Sequence, residues 1–267
     1  MSKLICYSLF NGNSEHFEQL AYVRGFYFNA RMNQLIFPDW RTHLEVDRFI
    51  YEKYKGLFDW MVACMNLSLN INEQTPALCE AMLWRMKPLF YQNITHILCR
   101  DTDALTTYRE AQGVQCWIEG DYAFYAILDN IAHGGLMGGM VGFDCAKLKA
   151  VMNWESFEQM IAGLNLTVRG SDQHFLNSLG IESKTLFHNF RLYDSFFLAN
   201  QILPQVDPRL WESNLCVSFI GSAGFNELET LRFFQHFDPQ MWNGKTGATG
   251  KYSAIEKEFP NLFYWWL

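Results

Sequence analysis

The stretch "ILCRDTDALTTYRE", residues 97–110, decides how the rest of the chain is interpreted. An apolar run typical of a buried strand is followed at once by Asp101 and Asp103. Alternate residues of an extended segment face the same side, so both carboxylates can point toward one ligand. Such a pair can hold Mg²⁺ or Mn²⁺, directly or through water. The alternative is a solvated turn, because acids also commonly end strands.

Patterns on both sides of this stretch alternate between strand and helix. Strands are predicted over residues 3–10, 34–40, 94–99 and 123–128, with a further one ending the segment 45–65. Helices are predicted over residues 15–32, 75–90, 156–164 and 171–179. This alternation is typical of an α/β fold with a largely parallel sheet flanked by helices. Ligands of such sheets bind beyond the carboxyl ends of the strands, which is where the acid pair falls.

The domain organisation predicted from the chain is simple. No internal repeat and no low-complexity linker interrupts its 267 residues. We predict one α/β domain over residues 1–193. Residues 194–267 then form a helical and loop extension packed on the same domain.

Composition excludes several classes of protein. A formal net charge of −7 argues against a nucleic-acid-binding surface, which needs clustered Lys and Arg. The 7 cysteines are odd in number and form no CxxC pair, which favours reduced thiols over disulfides or zinc. No apolar stretch reaches the ~18 residues that a membrane span needs. We therefore expect a soluble, cytoplasmic protein.

A second group of candidate residues lies in "DNIAHGGLMGGMVG", residues 129–142. Asp129 and His133 stand four apart and are followed by two glycine pairs, the second being Gly138 and Gly139. Glycines let the backbone approach a ligand closely. The alternatives are a tight crossing between core elements and a structural histidine.

The third group is "GSDQHFLN", residues 170–177. Ser171 is predicted as a helix N-cap, which puts Asp172 and Gln173 in the first turn, where the helix dipole favours an anion. Asp172 is then either an ordinary helix-start acid or a base facing the substrate. His188 is either a third metal ligand or a core histidine.

Taken in order, these motifs resemble a known family. The chain is similar to the DxD-containing, nucleotide-sugar-dependent glycosyltransferases of the GT-A type, and especially to the small enzymes of large DNA viruses, phages and bacteria, including the chlorella-virus rhamnosyltransferase domain. The resemblance covers roughly residues 3–190. It rests on "ICYSLFNGN", "FPDW", "LWRMKPLF", "CRDTDALTTYRE", "VQCW", "DNIAH", "MGGMVG" and "SDQHFLN". In "DQHFLN" the third position is His174, where retaining members carry Asp.

The resemblance implies a role for each motif. The metal, Mn²⁺ or Mg²⁺, would be held by Asp101, Asp103 and His188. The catalytic carboxylate would be Asp172, with Asp129 as the second candidate. The nucleotide sugar would contact Ser8, Leu9, Phe10, Asn11, Gly12, Arg85, Lys87, Arg100, Asp101, Thr102, Asp103, His133, Gly138, Gly139 and Gln173.

The implied function is metal-dependent transfer of a sugar from a nucleoside diphosphate, with UDP-sugars favoured as donors, to a hydroxyl of a glycan acceptor. A homodimer is compatible with it. Inverting and retaining outcomes both stay open. The alternatives are a HAD-type phosphohydrolase, whose motif differs by one residue in the spacing of its threonine, a non-catalytic carbohydrate-binding protein, and a nucleotidyltransferase, which lacks a Gly-rich basic loop here.

Overall fold

The structure is a computed structural model that describes residues 2–12, 19–74, 76, 79–127, 136–168 and 170–179. Six strands occur in these ranges: β1 (Ser2–Leu9), β2 (Arg41–Asp47), β3 (Leu67–Asn72), β4 (Ile94–Arg100), β5 (Phe124–Ala126) and β6 (Met140–Asp144). The α-helices are α1 (Gln19–Ile36), α2 (Arg48–Lys53), α3 (Lys55–Cys64), α4 (Glu80–Leu83), α5 (Tyr108–Glu119), α6 (Cys145–Met152), α7 (Phe157–Ile161) and α8 (Ser171–Ser178). A 3₁₀ helix, Trp84–Phe90, follows α4 directly.

The strands form one sheet in the order β3-β2-β1-β4-β6-β5. β3, β2, β1 and β4 pair in parallel, whereas β6 runs antiparallel to both β4 and β5. The prediction of an α/β fold with a mostly parallel sheet flanked by helices is therefore confirmed. The carboxyl ends of the four parallel strands share one edge of the sheet, and β6 enters the sheet at that edge.

The sheet is covered on both faces, which explains why its central strands are apolar almost without alternation. On one face, Tyr7 packs with Phe26 of α1 and Phe58 of α3. On the other face, Cys99 packs with Trp84. The strand that precedes the acid pair is buried because of these two layers.

Two predicted strands are in the wrong place. Residues 34–36 continue α1, and the strand expected over 34–40 is replaced by β2, which begins at Arg41. Pro38 follows the helix instead of ending a strand, which is a common position for proline after a helix. The segment 45–65 ends in α3, and the neighbouring strand is β3 at Leu67–Asn72.

The helix predicted over 75–90 divides into α4 and the 3₁₀ helix. Pro88 has no N–H to donate and cannot extend a regular α-helix, which accounts for the change in winding. The 3₁₀ helix packs against β4 and β1 and carries Arg85 and Lys87.

The glycine-rich segment contains an element that the sequence patterns did not predict. Its last residues form β6, in which Met140 pairs with Arg100 at the end of β4. This antiparallel register brings Gly139 beside the first acid, Asp101. The sheet therefore joins two motifs that are almost 40 residues apart in sequence.

Helix α8 begins where it was predicted, but Ser171 is not its N-cap. The cap position belongs to Gly170, whose φ is +86°, and no side chain caps the helix. The Ser171 hydroxyl instead donates to the carbonyls of Asn165 and Val168. Asp172 lies in the first turn, as predicted.

Several predictions concern residues outside the described ranges. These are Asp129, His133, His188 and the extension over 194–267. Within the described ranges, no helix combines the length and the apolar character that crossing a bilayer requires.

Candidate functional site

Residues from four elements meet at the carboxyl end of β4. We call residues 101–106, which follow this strand, the acid loop. The 3₁₀ helix supplies Arg85, the residues before β6 supply Gly138 and Gly139, and the first turn of α8 supplies Asp172. All of these residues were singled out from the sequence, and the fold places them together.

Arg85 is at the centre of this group. Its side chain is only 4% exposed, and its two terminal nitrogens bind different carboxylates. One donates to Asp101, and the other donates to Asp172 Oδ2 at 2.6 Å. The side chain of Asp101 is 43% exposed, whereas that of Asp172 is 4% exposed. Arg85 therefore joins a buried acid to one that reaches solvent.

Gly138 and Gly139 leave no room for a side chain beside these acids. A Cβ added to Gly138 would lie 2.1 Å from Asp172 Oδ2 and 2.8 Å from an Arg85 nitrogen. A Cβ on Gly139 would lie 2.0 Å from Asp101 Oδ2. The glycine pair is thus explained by the close approach of backbone to two carboxylates, and the predicted ligand contact of these glycines stays a prediction.

Asp103 is the second acid of the loop. Burial, and after it the neighbouring negative charge of Asp101, raise its pKa from 3.8 to about 6. Arg85 and Arg100 oppose this shift but do not cancel it. An acid whose charged form is disfavoured at the carboxyl edge of a sheet is a common feature of functional sites.

A hard divalent cation fits this pair of acids. The two carboxylates supply the oxygen ligands that Mg²⁺ and Mn²⁺ prefer. A cation there would also relieve the repulsion that raises the pKa of Asp103. No group of three or more metal-binding side chains occurs in the part of the chain that the structure describes.

Arg100 has protein partners on the inner side of the acid loop, and its predicted contact with a nucleotide sugar stays a prediction. Its side chain is 0% exposed and lies 3.2 Å from the equally buried carboxylate of Glu110 in α5. It also donates to the carbonyls of Gly139 and Leu105, at 3.2 and 3.3 Å. Arg100 therefore supports the acid loop and the glycine pair from inside the protein.

The placement of Asp172 bears on its predicted catalytic role, which stays a prediction. A general base must reach the proton that it removes, but this carboxylate is nearly inaccessible and holds Arg85. Its other oxygen, Oδ1, is buried and has no hydrogen-bond partner among the described residues. The geometry favours an electrostatic role for Asp172 over proton abstraction.

The turn after β1 lies next to the end of β2. The Asn11 amide donates to Asp47 Oδ2 at 2.5 Å, and Asp47 Oδ1 accepts from the Ile50 amide and caps α2. Leu9 is buried in the core, so it has a packing role. Sequence reasoning missed Asp47, although an acid directly before a helix is a recognised N-cap signal. Contacts of Ser8, Phe10, Asn11 and Gly12 with a nucleotide stay predictions.

Lys87 and Gln173 contact other protein groups. Lys87 Nζ donates to Asn72 Oδ1 at the end of β3 and lies 4.9 Å from the centre of the Trp84 ring. Gln173 Nε2 contacts Met137 Sδ at 3.3 Å. Their predicted contacts with a donor are not tested by these interactions.

Two supporting residues were not predicted. Glu110 is the buried partner of Arg100, and Asn29 of α1 bonds to the acid loop. An asparagine in the middle of a helix is a weak signal of such a role, because asparagine is a poor helix former.

Comparisons with known proteins add little to this description. No family model matches the chain, and no curated protein matches it. One similar solved structure is the mannosyltransferase PcManGT from Pyrobaculum calidifontis in complex with GDP-Man and Mn²⁺. The identity is 11%, the TM-score is 0.46, and the match covers 97% of this chain and 69% of that chain.

Proposed function

We propose that the protein is a metal-dependent glycosyltransferase of the GT-A type. It would transfer a sugar from a nucleoside-diphosphate donor, with UDP-sugars favoured, to a hydroxyl of a glycan acceptor. The observation that carries this proposal is the acid loop at the carboxyl edge of the sheet, with Arg85 and the glycine pair packed against it.

The balance of charge supports a cationic ligand at this edge. Among the described residues, Asp101 and Asp172 both bind the guanidinium of Arg85, and the same positive charge acts on the nearby carboxylate of Asp103. The nearby charge of Arg100 is already paired with Glu110. At pH 7, above the pKa of Asp103, the group carries an excess of negative charge that a divalent cation would neutralise.

The acids of the loop would hold this cation from one side. Asp103 is the principal candidate ligand, and Asp101, which keeps Arg85 on one oxygen, is the second. When bound, the cation would supply the positive charge that stabilises the departing diphosphate. His188 stays a third candidate ligand from the sequence alone.

The chain's own residues would act on the other side of the reacting sugar. Asp172 is a fixed negative charge that favours the positive character developing at the sugar carbon as the bond to phosphate breaks. Arg85 fixes the direction of this carboxylate. If the reaction inverts the configuration, Asp129 is the candidate base.

A thermal-shift panel of nucleoside diphosphates and their sugars, with and without Mn²⁺, tests the proposal. UDP with Mn²⁺ at about 100 times its dissociation constant should stabilise the fold by about 2.7 kcal/mol. For a chain of this size that corresponds to a rise of roughly 5 °C in Tm. Asp103→Asn should abolish the metal-dependent part of the rise.

The matched control is Asp59→Asn, which changes an exposed acid on α3 that pairs with Lys55. This variant should keep the full shift. An unchanged shift in Asp103→Asn would refute the metal role, and no response to any nucleotide would refute the proposed function. Hydrolysis of a generic phosphate ester with Mg²⁺ would favour a phosphohydrolase, and sugar binding without turnover would favour a carbohydrate-binding protein.

A further inference from the structure

We propose that Asn29 is a positioning residue that fixes the conformation of the acid loop from beneath. The role that this gives to Asn29 in cation binding rests on the proposed function. The fixing of the loop itself does not, and it can be tested separately.

Asn29 lies well inside helix α1, far from either end, and its side chain is completely buried. A buried amide is costly unless its donors and acceptor find partners. Within an α-helix the backbone supplies few such partners, because its own groups already bond to each other. Asn29 must therefore find partners outside its helix, and most of them are in the acid loop.

The amide of Asn29 uses all of its main hydrogen-bonding capacity. Its nitrogen donates to the carbonyl of Thr102 and to that of Gly25, both at 3.1 Å. Its oxygen accepts from the Thr106 amide at 2.9 Å and from the Thr106 hydroxyl at 3.2 Å. Three of these four bonds end on the acid loop and join its two sides to one rigid helix.

The Thr102 carbonyl belongs to the peptide group between the two acids. Because a peptide group is planar, holding this oxygen also fixes the direction of the backbone at Asp103. Arg100 holds the Leu105 carbonyl on the same inner side of the loop. The loop has no regular secondary structure, so these contacts take the place of a hydrogen-bonded ladder.

Prior fixing of the loop has a consequence for binding. Two carboxylates that stand close together repel each other and would move apart in a flexible loop. A loop that is already ordered loses less conformational freedom when a ligand binds, which increases affinity. Asn29 would contribute to affinity in this way without touching the ligand.

Asn33 provides a matched control on the same helix. It lies one turn after Asn29, is 1% exposed, and donates to the Tyr7 hydroxyl and to Thr42 Oγ1, both at 3.1 Å. Its side chain approaches the acid loop only through that Tyr7 hydroxyl, which lies 3.4 Å from Thr106 Oγ1. Removal of either asparagine deletes a buried amide, but only one deletion releases the loop.

The test compares Asn29→Leu and Asn33→Leu with the wild type in the full chain. Hydrogen exchange resolved to the Thr106 amide reports on the loop, and electron paramagnetic resonance reports the affinity for Mn²⁺ alone. Asn29→Leu should speed exchange at Thr106 at least tenfold and weaken Mn²⁺ binding at least tenfold. Asn33→Leu should leave both within twofold, even where its Tm falls by a similar amount.

If Asn29→Leu does not fold, Asn29→Ser replaces it in the test. The smaller serine side chain leaves space for a water molecule where the Asn29 amide was. This variant should show the same two changes. The proposal is overturned if the Asn29 variants keep Thr106 protected, or if Asn33→Leu weakens Mn²⁺ binding as much as they do. If the wild type binds no Mn²⁺, the proposed function fails, and the exchange data alone decide the role of Asn29.

Discussion

Two buried arginines stand on opposite sides of the end of β4, and their surroundings differ. Arg85 binds Asp101 and Asp172, which belong to the candidate site. Arg100 binds Glu110 and two backbone carbonyls, which belong to the scaffold. The resemblance to GT-A enzymes implied a donor contact for both residues. The difference teaches that proximity in sequence to a site does not tell which side of the backbone a side chain takes.

The largest expected effect comes from the scaffold side. Arg100→Met would leave the buried Glu110 carboxylate without the Arg100 charge and should lower the free energy of unfolding by about 3–5 kcal/mol. Urea denaturation measures this loss. Arg48→Met is the control, because the ion pairs of Arg48 with Glu52 and Glu73 are exposed, and it should change the free energy of unfolding far less than Arg100→Met does.

A second change separates loss of charge from loss of packing at Arg100. Adding Glu110→Gln to Arg100→Met removes the buried negative charge and should recover part of the lost stability. No recovery in the double variant would show that Arg100 acts through the Gly139 and Leu105 carbonyls instead.

An intermediate effect is expected on the Arg85 side. Gly138→Ala places a Cβ against Asp172 and Arg85, so the ion pair must shift, and the free energy of unfolding should fall by about 1–3 kcal/mol. Stabilisation by UDP with Mn²⁺ should also be lost. Thermal shift with and without these ligands measures both effects.

Gly163→Ala is the matched glycine control. Gly163 has a φ of +83° and no neighbouring atom within 4 Å of an added Cβ, so alanine there costs about 1 kcal/mol of backbone strain. Its response to UDP and Mn²⁺ should be that of the wild type. Equal loss of the response in both variants would mean that Gly138 matters only for stability.

The smallest expected effect is a gain in stability at Asp103. Its pKa in the folded protein is about 6, above the ordinary value of 3.8, so the folded chain binds this proton more tightly than the unfolded chain does. The stability of the metal-free protein should therefore fall as the pH rises from about 4 to about 6, and then level off. Asp103→Asn should remove this fall and stabilise the metal-free protein at pH 7.

Urea denaturation in EDTA between pH 4 and pH 8 measures this pH dependence. Asp59→Asn is the control with the opposite sign, because Lys55 lowers the pKa of the exposed Asp59 and the substitution should reduce stability slightly. A loss of stability at pH 7 in Asp103→Asn would contradict the prediction that the charged carboxylate of Asp103 destabilises the folded protein.

Much of the fold could be predicted because its central strands are strongly apolar. β1 and β4 were found nearly at their true bounds, and α8 was found at its first residue. β2 was misplaced, since its mixed sequence "RTHLEVD" reflects a polar cluster around Glu45 on one face of the sheet. A strand that buries polar residues on one face has a sequence pattern similar to that of an exposed strand or a loop.

The candidate site was also only partly predictable from the sequence. The acid pair and the glycine pair were recognisable because their residue types are unusual in those positions. The roles of Arg85, Arg100 and Asp172 were not recognisable, because each depends on a partner from a distant part of the chain. Asn29 was missed for the same reason, whereas Asp47 was missed although its N-cap position is a local signal.

The sequence by itself determined an α/β chain with two acids at the end of a buried strand, because hydrophobic patterning and local charge are properties of neighbouring residues. Only the tertiary structure decided that the antiparallel register of β6 places Gly139 against Asp101 and Gly138 against Asp172, and that one arginine contacts the site while the other supports the scaffold. These features depend on contacts between segments that are separated by tens of residues. No local pattern encodes which of several possible partners a buried charge will meet.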